Sequence, residues 1–176
     1  MTKAVIALGF FDGVHVGHAA LLRRTAILAA EMCAVPAALL FEQMPNMPPL
    51  ILSPEQRLAR IKSHDIQKMI HIPSALLSMA AADFPRYLQH EHGAVGLVAG
   101  HDFRYGHGGL GNIAMLREQC QAHGILLDIV DCVQVEGKVV SSTRIRQLLA
   151  DGNVAEASVL LGYDYGNLTA DHSKCG

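Results

Sequence analysis

The sequence predicts an α/β protein built on a Rossmann-like, doubly wound parallel sheet. Two observations predict this fold class. Short apolar runs of strand length alternate with segments of helical periodicity along the 176 residues. The first run, residues 4–10, is continuously apolar, as is typical of a strand buried on both faces. We expect one domain over residues 1–166 and a frayed polar tail over residues 167–176.

The first half of the chain carries further strand and helix signals. Leucines and alanines recur at helical spacing between residues 17 and 33. Three prolines predict a loop over residues 42–52. Ser53 followed by Pro54 is typical of a helix start. The expected elements of this half are strand 4–10, helix 17–33, strand 37–41, helix 54–62 and strand 68–72.

Glycines punctuate the second half. Gly93 and Gly124 follow helical segments and are expected to end them. Residues 100–112 form a glycine-rich loop, and Asn153 with Glu156 resembles a capping box for a last helix. The expected elements are helix 84–90, strand 94–99, helix 113–123, strand 125–130, a hairpin over 133–140, and helices starting after Ser141 or Ser142 and after Asn153.

Composition excludes several classes of function. The net charge is −2, from 14 basic and 16 acidic residues, so nothing favours bulk nucleic-acid binding. No apolar stretch approaches the ~20 residues of a membrane span. The four cysteines form no CxxC pair and are expected to be reduced thiols of a cytoplasmic protein. The oligomeric state is left open.

The segment Gly9–His18, which reads GFFDGVHVGH, is the first candidate site. A buried strand ends, glycines turn the chain, and a helix begins. Free N–H groups at a helix start attract anions, and Gly17 lets a phosphate approach the backbone. His15 and His18 can then donate hydrogen bonds to phosphate oxygens. Ordinary loop histidines and a zinc site are alternatives, but zinc lacks an evident third ligand.

The segment Val140–Arg146, which reads VSSTRIR, is the second. Ser141, Ser142 and Thr143 can cap a helix or bind an anion, and Arg146 lies one turn further along. Taken alone, the segment favours simple capping with a solvated arginine. Paired with the first segment, it supplies the other half of a triphosphate site.

These residues resemble a known family. GFFDGVHVGH and SSTRIR resemble the HxGH and SSTxxR signatures of nucleotidyltransferases. Together FDGVHVGH, GHDFRYGHGGLGN and SSTRIRQLLADGNVAEASVLLG resemble the FMN adenylyltransferase domain of bacterial bifunctional FAD synthetase, over roughly residues 4–165. The resemblance implies an HxGH-type Rossmann-like fold and small-molecule substrates. It also implies a reaction in which FMN is joined to the AMP part of ATP, with Mg²⁺, and pyrophosphate is released.

The resemblance also implies residue roles. His15 and His18 would stabilise charge on the triphosphate, and Ser142, Thr143 and Arg146 would hold its outer phosphates. Mg²⁺ would bridge phosphate oxygens rather than occupy a protein cage. The expected nucleotide-binding residues are Gly9, Phe10, Phe11, Asp12, Gly17, His18, Gly100, Asp102, Ser141, Ser142, Thr143 and Arg146. The expected acceptor-binding residues are Phe41, Pro45, Phe103 and Tyr105.

The chain departs from the family pattern at several positions, which bear on FMN specificity and rate. Phe10 stands where asparagine is usual, and Gly109 and Tyr163 stand where arginine is common. The usual Pro-His-Pro element after the second strand is replaced by the run from Phe41 to Pro45. The sequence has no counterpart of the riboflavin kinase domain, so we expect no phosphorylation of riboflavin.

Three rival interpretations stay open at this point. Residues 106–111 satisfy GxGxxG, with Asp131 about 20 residues further on, which would suit a dinucleotide-binding oxidoreductase. These glycines do not directly follow a strand, so the match is weak. The second alternative is a transferase of the same fold that acts on another phosphorylated acceptor. The third is a nucleotide-binding module without catalysis.

Overall fold

The computed structural model describes residues 2–41, 48–73, 76 and 78–170, and it contains a five-stranded parallel sheet of order β3-β2-β1-β4-β5. The elements are β1 (Ala4–Leu8), α1 (Val16–Glu31), β2 (Val35–Phe41), α2 (Pro54–Lys62), β3 (Lys68–Ile72), α3 (Phe84–His92), β4 (Ala94–Gly100), α4 (Ile113–His123), β5 (Leu126–Val130), β6 (Gln134–Val135), β7 (Lys138–Val139), α5 (Ser142–Ala150), α6 (Val154–Leu161) and α7 (Tyr165–Ala170). The expected α/β fold is confirmed.

The central strand β1 is buried along its whole length. Its alternate residues face opposite sides of the sheet. Ile6 and Leu8 join the core that contains α3 and α4, whereas Val5 and Ala7 join the core that contains α1 and α2. A third, smaller core lies between α5, α6 and Ile51. Burial on both faces explains the continuous apolar run that predicted this strand.

The expected helix ends are confirmed at their caps. Ser53 and Gln56 form a reciprocal capping box at the start of α2. Gly93 and Gly124 take left-handed conformations at the ends of α3 and α4. Asn153 accepts a hydrogen bond from the Glu156 N–H at 3.4 Å, while the Glu156 carboxylate binds the Asn153 side chain rather than its backbone. Asn153 therefore caps α6 with half of a capping box.

Two expectations are corrected at the ends of elements. The first strand ends at Leu8 rather than near residue 10, because the chain leaves the sheet at Gly9. The helix after Asn153 is not the last, since α7 covers residues 165–170, where a frayed tail was expected from residue 167. Most of the expected loop over 42–52 lies outside the described residues.

The chain order creates a crevice in the middle of the sheet. From β1, the chain adds β2 and β3 on one side and β4 and β5 on the other, so the direction of winding reverses between β1 and β4. Leu8 pairs with Ala99 at the carboxyl ends of these two strands. Ligands of doubly wound sheets bind outside such a switch point.

Among the described residues, no helix is both long and apolar enough to cross a membrane.

Candidate active site

A cavity of about 260 Å³ opens at this switch point, outside the carboxyl ends of β1, β4 and β5. The side of β1 contributes residues 8–10 and the start of α1. The loops after β4 and β5 contribute residues 100–103 and 130–133. The expected site residues that line it are Gly9, Phe10, His15, Gly17, His18, Gly100, Asp102, Phe103, Ser141 and Ser142. Two motifs more than 120 residues apart in the sequence therefore meet in one cavity.

His15 is the N-cap of α1. Its Nδ1 accepts a hydrogen bond from the backbone N–H of His18 at 3.2 Å. In the neutral ring the proton therefore sits on Nε2, which makes that nitrogen a hydrogen-bond donor. The imidazole of His15 stacks on that of His18 with ring centres 3.7 Å apart. Capping and stacking together fix the His15 ring in the wall of the cavity.

Both imidazoles are neutral near pH 7. Burial lowers the pKa of His15 to about 4. Burial also lowers the pKa of His18 well below its ordinary value, and its neighbours His15 and Arg57 disfavour the protonated ring further. The Nδ1 atom of His18 is buried and has no hydrogen-bond partner among the described residues. These rings are therefore suited to hydrogen bonding with a phosphate oxygen rather than to a permanent ion pair.

A side chain at Gly17 would crowd the ring of His15. A Cβ atom at Gly17 would lie 3.2 Å from both Cε1 and Nδ1 of the His15 ring. The neighbouring turn is also unusual, because Phe11, Gly13 and Val14 all have positive φ angles, of 52°, 76° and 41°. Two of these residues are not glycine, so the surrounding structure must hold the turn in place.

The second helix N-terminus belongs to α5. Ser141 is its N-cap and accepts a hydrogen bond from the backbone N–H of Arg144 at 3.3 Å. Ser141 and Ser142 both line the cavity. The N-termini of α1 and α5 thus border the same space, and each brings free N–H groups and a partial positive charge. This arrangement is suited to a polyanion.

Asp12 and Arg146 join the two motifs behind the cavity. The Asp12 carboxylate accepts a hydrogen bond from Nη2 of Arg146 at 2.5 Å and one from the backbone N–H of Ile51 at 2.8 Å. The Ser142 hydroxyl donates to the Asp12 carbonyl at 3.1 Å. Arg146 also donates to the carbonyl of Pro49 at 3.4 Å. The loop after β1 is therefore tied to α5.

Four expected nucleotide-binding side chains do not line the cavity. Phe11 is fully buried in the core beside α1, where it packs against His18. Both carboxylate oxygens of Asp12 are used inside the protein, by Ile51 and Arg146. Thr143 lies exposed on the first turn of α5. Phe11 and Asp12 thus build the cavity from behind, and direct contact of Thr143 and Arg146 with phosphates stays a prediction.

A second cavity, of about 250 Å³, adjoins the first. Phe10 and Phe103 line both cavities and so form their common wall. Phe10 stacks on Phe41 with ring centres 6.0 Å apart, and Phe103 stacks on Tyr105 at 5.9 Å. The other residues that line the second cavity are Ile72, Leu76, Phe84, Arg104, Gly106 and Gly109.

The second cavity therefore has mainly apolar, aromatic walls, suited to a planar ring system. It brings together three of the four residues expected to bind the acceptor, Phe41, Phe103 and Tyr105. The fourth, Pro45, lies outside the described residues.

Sequence reasoning did not place several residues at these cavities. Residues 131–133 line the first cavity directly after β5, and the rule that ligands bind at the carboxyl ends of parallel strands was the signal for them. Arg57 and Tyr163 reach the loop after β1 from other elements. No local pattern marks these two side chains, because their contacts depend on tertiary packing.

The glycines of residues 106–111 do not form a dinucleotide-binding turn. Gly106 and Gly109 line the second cavity, and Gly111 pairs with Tyr105 in an antiparallel bridge. Helix α4 begins only at Ile113. A GxGxxG fingerprint needs its glycines between a strand and the helix that follows at once, and that geometry is not present here.

A model of the FAD synthetase family matches residues 1–144, which include every lining residue of both cavities. The chain belongs to the FAD synthetase family. The match covers the loop after β1, the glycine-rich segment and the start of α5.

Relatives and a solved structure agree with this assignment. The chain is similar to the bifunctional riboflavin kinase/FMN adenylyltransferase of Listeria monocytogenes, with 30% identity over 92% of this chain and 54% of the relative. The Escherichia coli K12 protein of the same description is 29% identical over 92% of this chain and 55% of its own length. The chain spans about half the length of the curated relatives it matches.

The fold is shared with a crystal structure described as that of a macrolide-efflux protein from Streptococcus pneumoniae. The TM-score is 0.81 at 29% identity, and the match covers 92% of this chain and 56% of that one.

The departures from the family pattern now have places in the structure. Phe10 forms the wall between the cavities, Gly109 lines the second cavity, and Tyr163 contacts the loop after β1.

Proposed function

We propose that this chain is an FMN adenylyltransferase that joins FMN to the AMP part of ATP. MgATP occupies the first cavity, and the flavin ring of FMN occupies the second. Family membership supports the reaction. The observation that carries the assignment of substrates is the shared wall of Phe10 and Phe103 between a cavity that histidine, serine and aspartate side chains help to line and an aromatic one. Two substrates seated on either side of this wall can bring their phosphates together.

The reaction is an in-line displacement at phosphorus. An oxygen of the FMN phosphate attacks the α-phosphorus of ATP, and the bond from that phosphorus to the bridging oxygen breaks. The bonding pair leaves with pyrophosphate, so FAD and pyrophosphate are the products. Positioning and charge stabilisation supply most of the catalysis in such reactions. The two helix N-termini, the Nε2–H of His15 and the imidazole of His18, whose buried Nδ1 has no partner among the described residues, are the groups that meet the developing negative charge.

Mg²⁺ enters with ATP as part of the substrate, where it neutralises phosphate charge. Among the described residues, no group of three or more His, Cys, Asp or Glu side chains could hold a metal ion. Asp102 and Asp131 line the cavity, whereas the Asp12 carboxylate is already bound by Arg146 and Ile51. This donor set fits an ion held chiefly by the triphosphate, with a carboxylate available from the cavity wall.

The second cavity favours a flavin over other acceptors of this fold class. Its aromatic walls suit a rigid planar ring, whereas a flexible chain such as phosphopantetheine would gain little from the stacked pairs. The thiols of Cys33, Cys120 and Cys132 are free, which supports a reducing compartment, and we place the reaction in the cytoplasm.

Incubation of the protein with ATP, Mg²⁺ and FMN tests this proposal. We expect FAD and pyrophosphate to form in equal amounts, measured by chromatography of the flavins and by a coupled pyrophosphate assay. Riboflavin is the matched control acceptor, since it has the same ring and no phosphate nucleophile, and it should give no FAD. Pyrophosphate release with phosphopantetheine or nicotinate mononucleotide, but not with FMN, would refute the assignment of the acceptor.

A further inference from the structure

Three backbone carbonyls of the loop after β1 are each bound by a side chain from a different element. Nη2 of Arg57 in α2 donates to the carbonyl of Phe10. The hydroxyl of Ser142 in α5 donates to the carbonyl of Asp12 at 3.1 Å. The hydroxyl of Tyr163, two residues after the end of α6, donates to the carbonyl of Gly13 at 2.6 Å.

These contacts lie on the part of the chain with the least favourable backbone. Phe11, Gly13 and Val14 have positive φ angles. A non-glycine residue keeps such a conformation only where its surroundings determine it. Because a peptide unit is planar, a carbonyl that is held in place also fixes the N–H of the next residue. The bound carbonyls therefore set the path by which the chain reaches His15.

Arg57 is buried against the loop after β1 instead of being exposed to solvent. It is only 6% exposed, and its guanidinium lies over the Phe10 ring, 5.3 Å from the ring centre. Its Nε is buried and has no hydrogen-bond partner among the described residues. Burying an arginine is costly, so its contact with the Phe10 carbonyl and ring must compensate.

Tyr163 is held equally firmly. The guanidinium of Arg60 lies over its ring, 3.6 Å from the ring centre. Burial raises the pKa of the Tyr163 hydroxyl, so the group stays protonated and acts as the donor to Gly13. Neither Tyr163 nor Arg57 lines the nucleotide cavity.

We propose that Arg57 and Tyr163 are positioning residues of the nucleotide site, which hold the loop after β1 in its left-handed path so that the start of α1 faces the triphosphate. This inference rests on the proposed function only for ATP binding, and the identity of the acceptor does not enter it. Tyr163 takes a position where the resembling family commonly has arginine, so this chain holds the loop with a phenol hydroxyl.

The variant Tyr163→Phe removes only the hydroxyl, and Tyr87→Phe, on α3 far from the loop, is the matched control. We expect the dissociation constant and KM for ATP to rise about fivefold in Tyr163→Phe, the size expected for one lost hydrogen bond. The KM for FMN should stay unchanged. A merely structural role would instead lower the melting temperature and the active fraction, without a selective change for ATP.

Arg57→Met is a second variant, and it tests the inference even if Tyr163→Phe does not fold. We expect the same loss of ATP affinity, and Arg57→Lys should recover part of it because its ammonium can still donate to the Phe10 carbonyl. ATP affinity is measured by calorimetry without FMN, so it can be read even if no FAD forms. Wild-type ATP affinity in both Tyr163→Phe and Arg57→Met would overturn the inference and leave the proposed function standing.

Discussion

The carboxylate of Asp12 accepts a hydrogen bond from the guanidinium of Arg146 at 2.5 Å, and this ion pair links the segment Gly9–His18 to the segment Val140–Arg146. Asp12 is buried, whereas Arg146 is partly exposed. Asp12 also binds the N–H of Ile51. The pair therefore fixes α5 relative to the loop after β1.

The first prediction is that Asp12 and Arg146 act as one unit. Removing Arg146 leaves a buried carboxylate with one partner fewer, so Arg146→Met should lower the free energy of unfolding by about 2 kcal/mol. In a double-mutant cycle with Asp12→Asn, the coupling energy should be about 1–3 kcal/mol, measured by urea unfolding. The two effects would instead add if the pair contributed nothing.

Second, His18→Asn should lower turnover about a hundredfold, because it removes a group placed against the triphosphate. The fold should stay intact, since the Nδ1 atom of His18 makes no hydrogen bond among the described residues. The rate of FAD formation and the melting temperature are the two measurements. His90→Asn, at an exposed position on α3, is the control and should leave both values unchanged. Full activity in His18→Asn would remove His18 from the mechanism.

Third, the stability of the protein should fall as the pH falls from 6.5 towards 4. Burial lowers the pKa of His15 from 6.5 to about 4, so in this range the unfolded chain binds a proton that the folded chain does not. From about pH 7 to about pH 5, His15 alone should remove about 2 kcal/mol from the free energy of unfolding. Above the unfolded-state value both forms are neutral, and the contribution is constant.

Urea unfolding at several pH values measures this loss. His15→Asn keeps a side chain that can cap α1 but cannot titrate, so its loss between these pH values should be smaller by the same amount. An identical pH dependence in the wild type and in His15→Asn would mean that His15 titrates normally in the folded protein.

The sequence predicted the parts of the site that local rules control. A strand, a glycine turn and a helix place His15 and His18 at a helix N-terminus whatever the rest of the fold does, and the same holds for the hydroxyl cap at Ser141. The Asp12–Arg146 pair joins residues 134 positions apart, and no local pattern encodes such a contact. Sequence reasoning therefore expected both residues to contact the nucleotide. In the structure they pair with each other instead, outside the lining of the cavity.

Arg57 shows the same limit from another direction. In the sequence it stands in a charged helix, between Glu55 and Arg60, and is typical of a solvated face. In the structure it is buried, because its guanidinium reaches the carbonyl and the ring of Phe10. Burial of a charged side chain depends on which carbonyl lies within its reach, and that is a property of the tertiary fold.

Fourth, ATP should protect Cys132 from alkylation. Cys132 is exposed and lies in the wall of the first cavity, directly after β5. Cys33 is also exposed, but it lies between α1 and β2, at the amino end of β2, whereas the cavity opens at the carboxyl ends of the strands. Saturating MgATP should slow modification of Cys132 by iodoacetamide at least about tenfold, in line with near-complete occupancy of the site. Cys33 should react at the same rate with and without nucleotide.

Mass spectrometry of the two cysteine-containing peptides separates their rates. Equal protection of Cys33 and Cys132 would indicate a general tightening of the fold. No protection of Cys132 at saturating MgATP would place the nucleotide elsewhere.

Fifth, Phe41→Ala should weaken FMN binding selectively. Phe41 lines the second cavity but not the first, and it stacks on Phe10. Loss of one aromatic wall should raise the KM for FMN about tenfold while the KM for ATP stays unchanged. Leu110→Ala, an exposed apolar side chain on the glycine-rich loop that lines neither cavity, is the control. A rise in the KM for ATP in Phe41→Ala, with that for FMN unchanged, would exchange the substrates assigned to the two cavities.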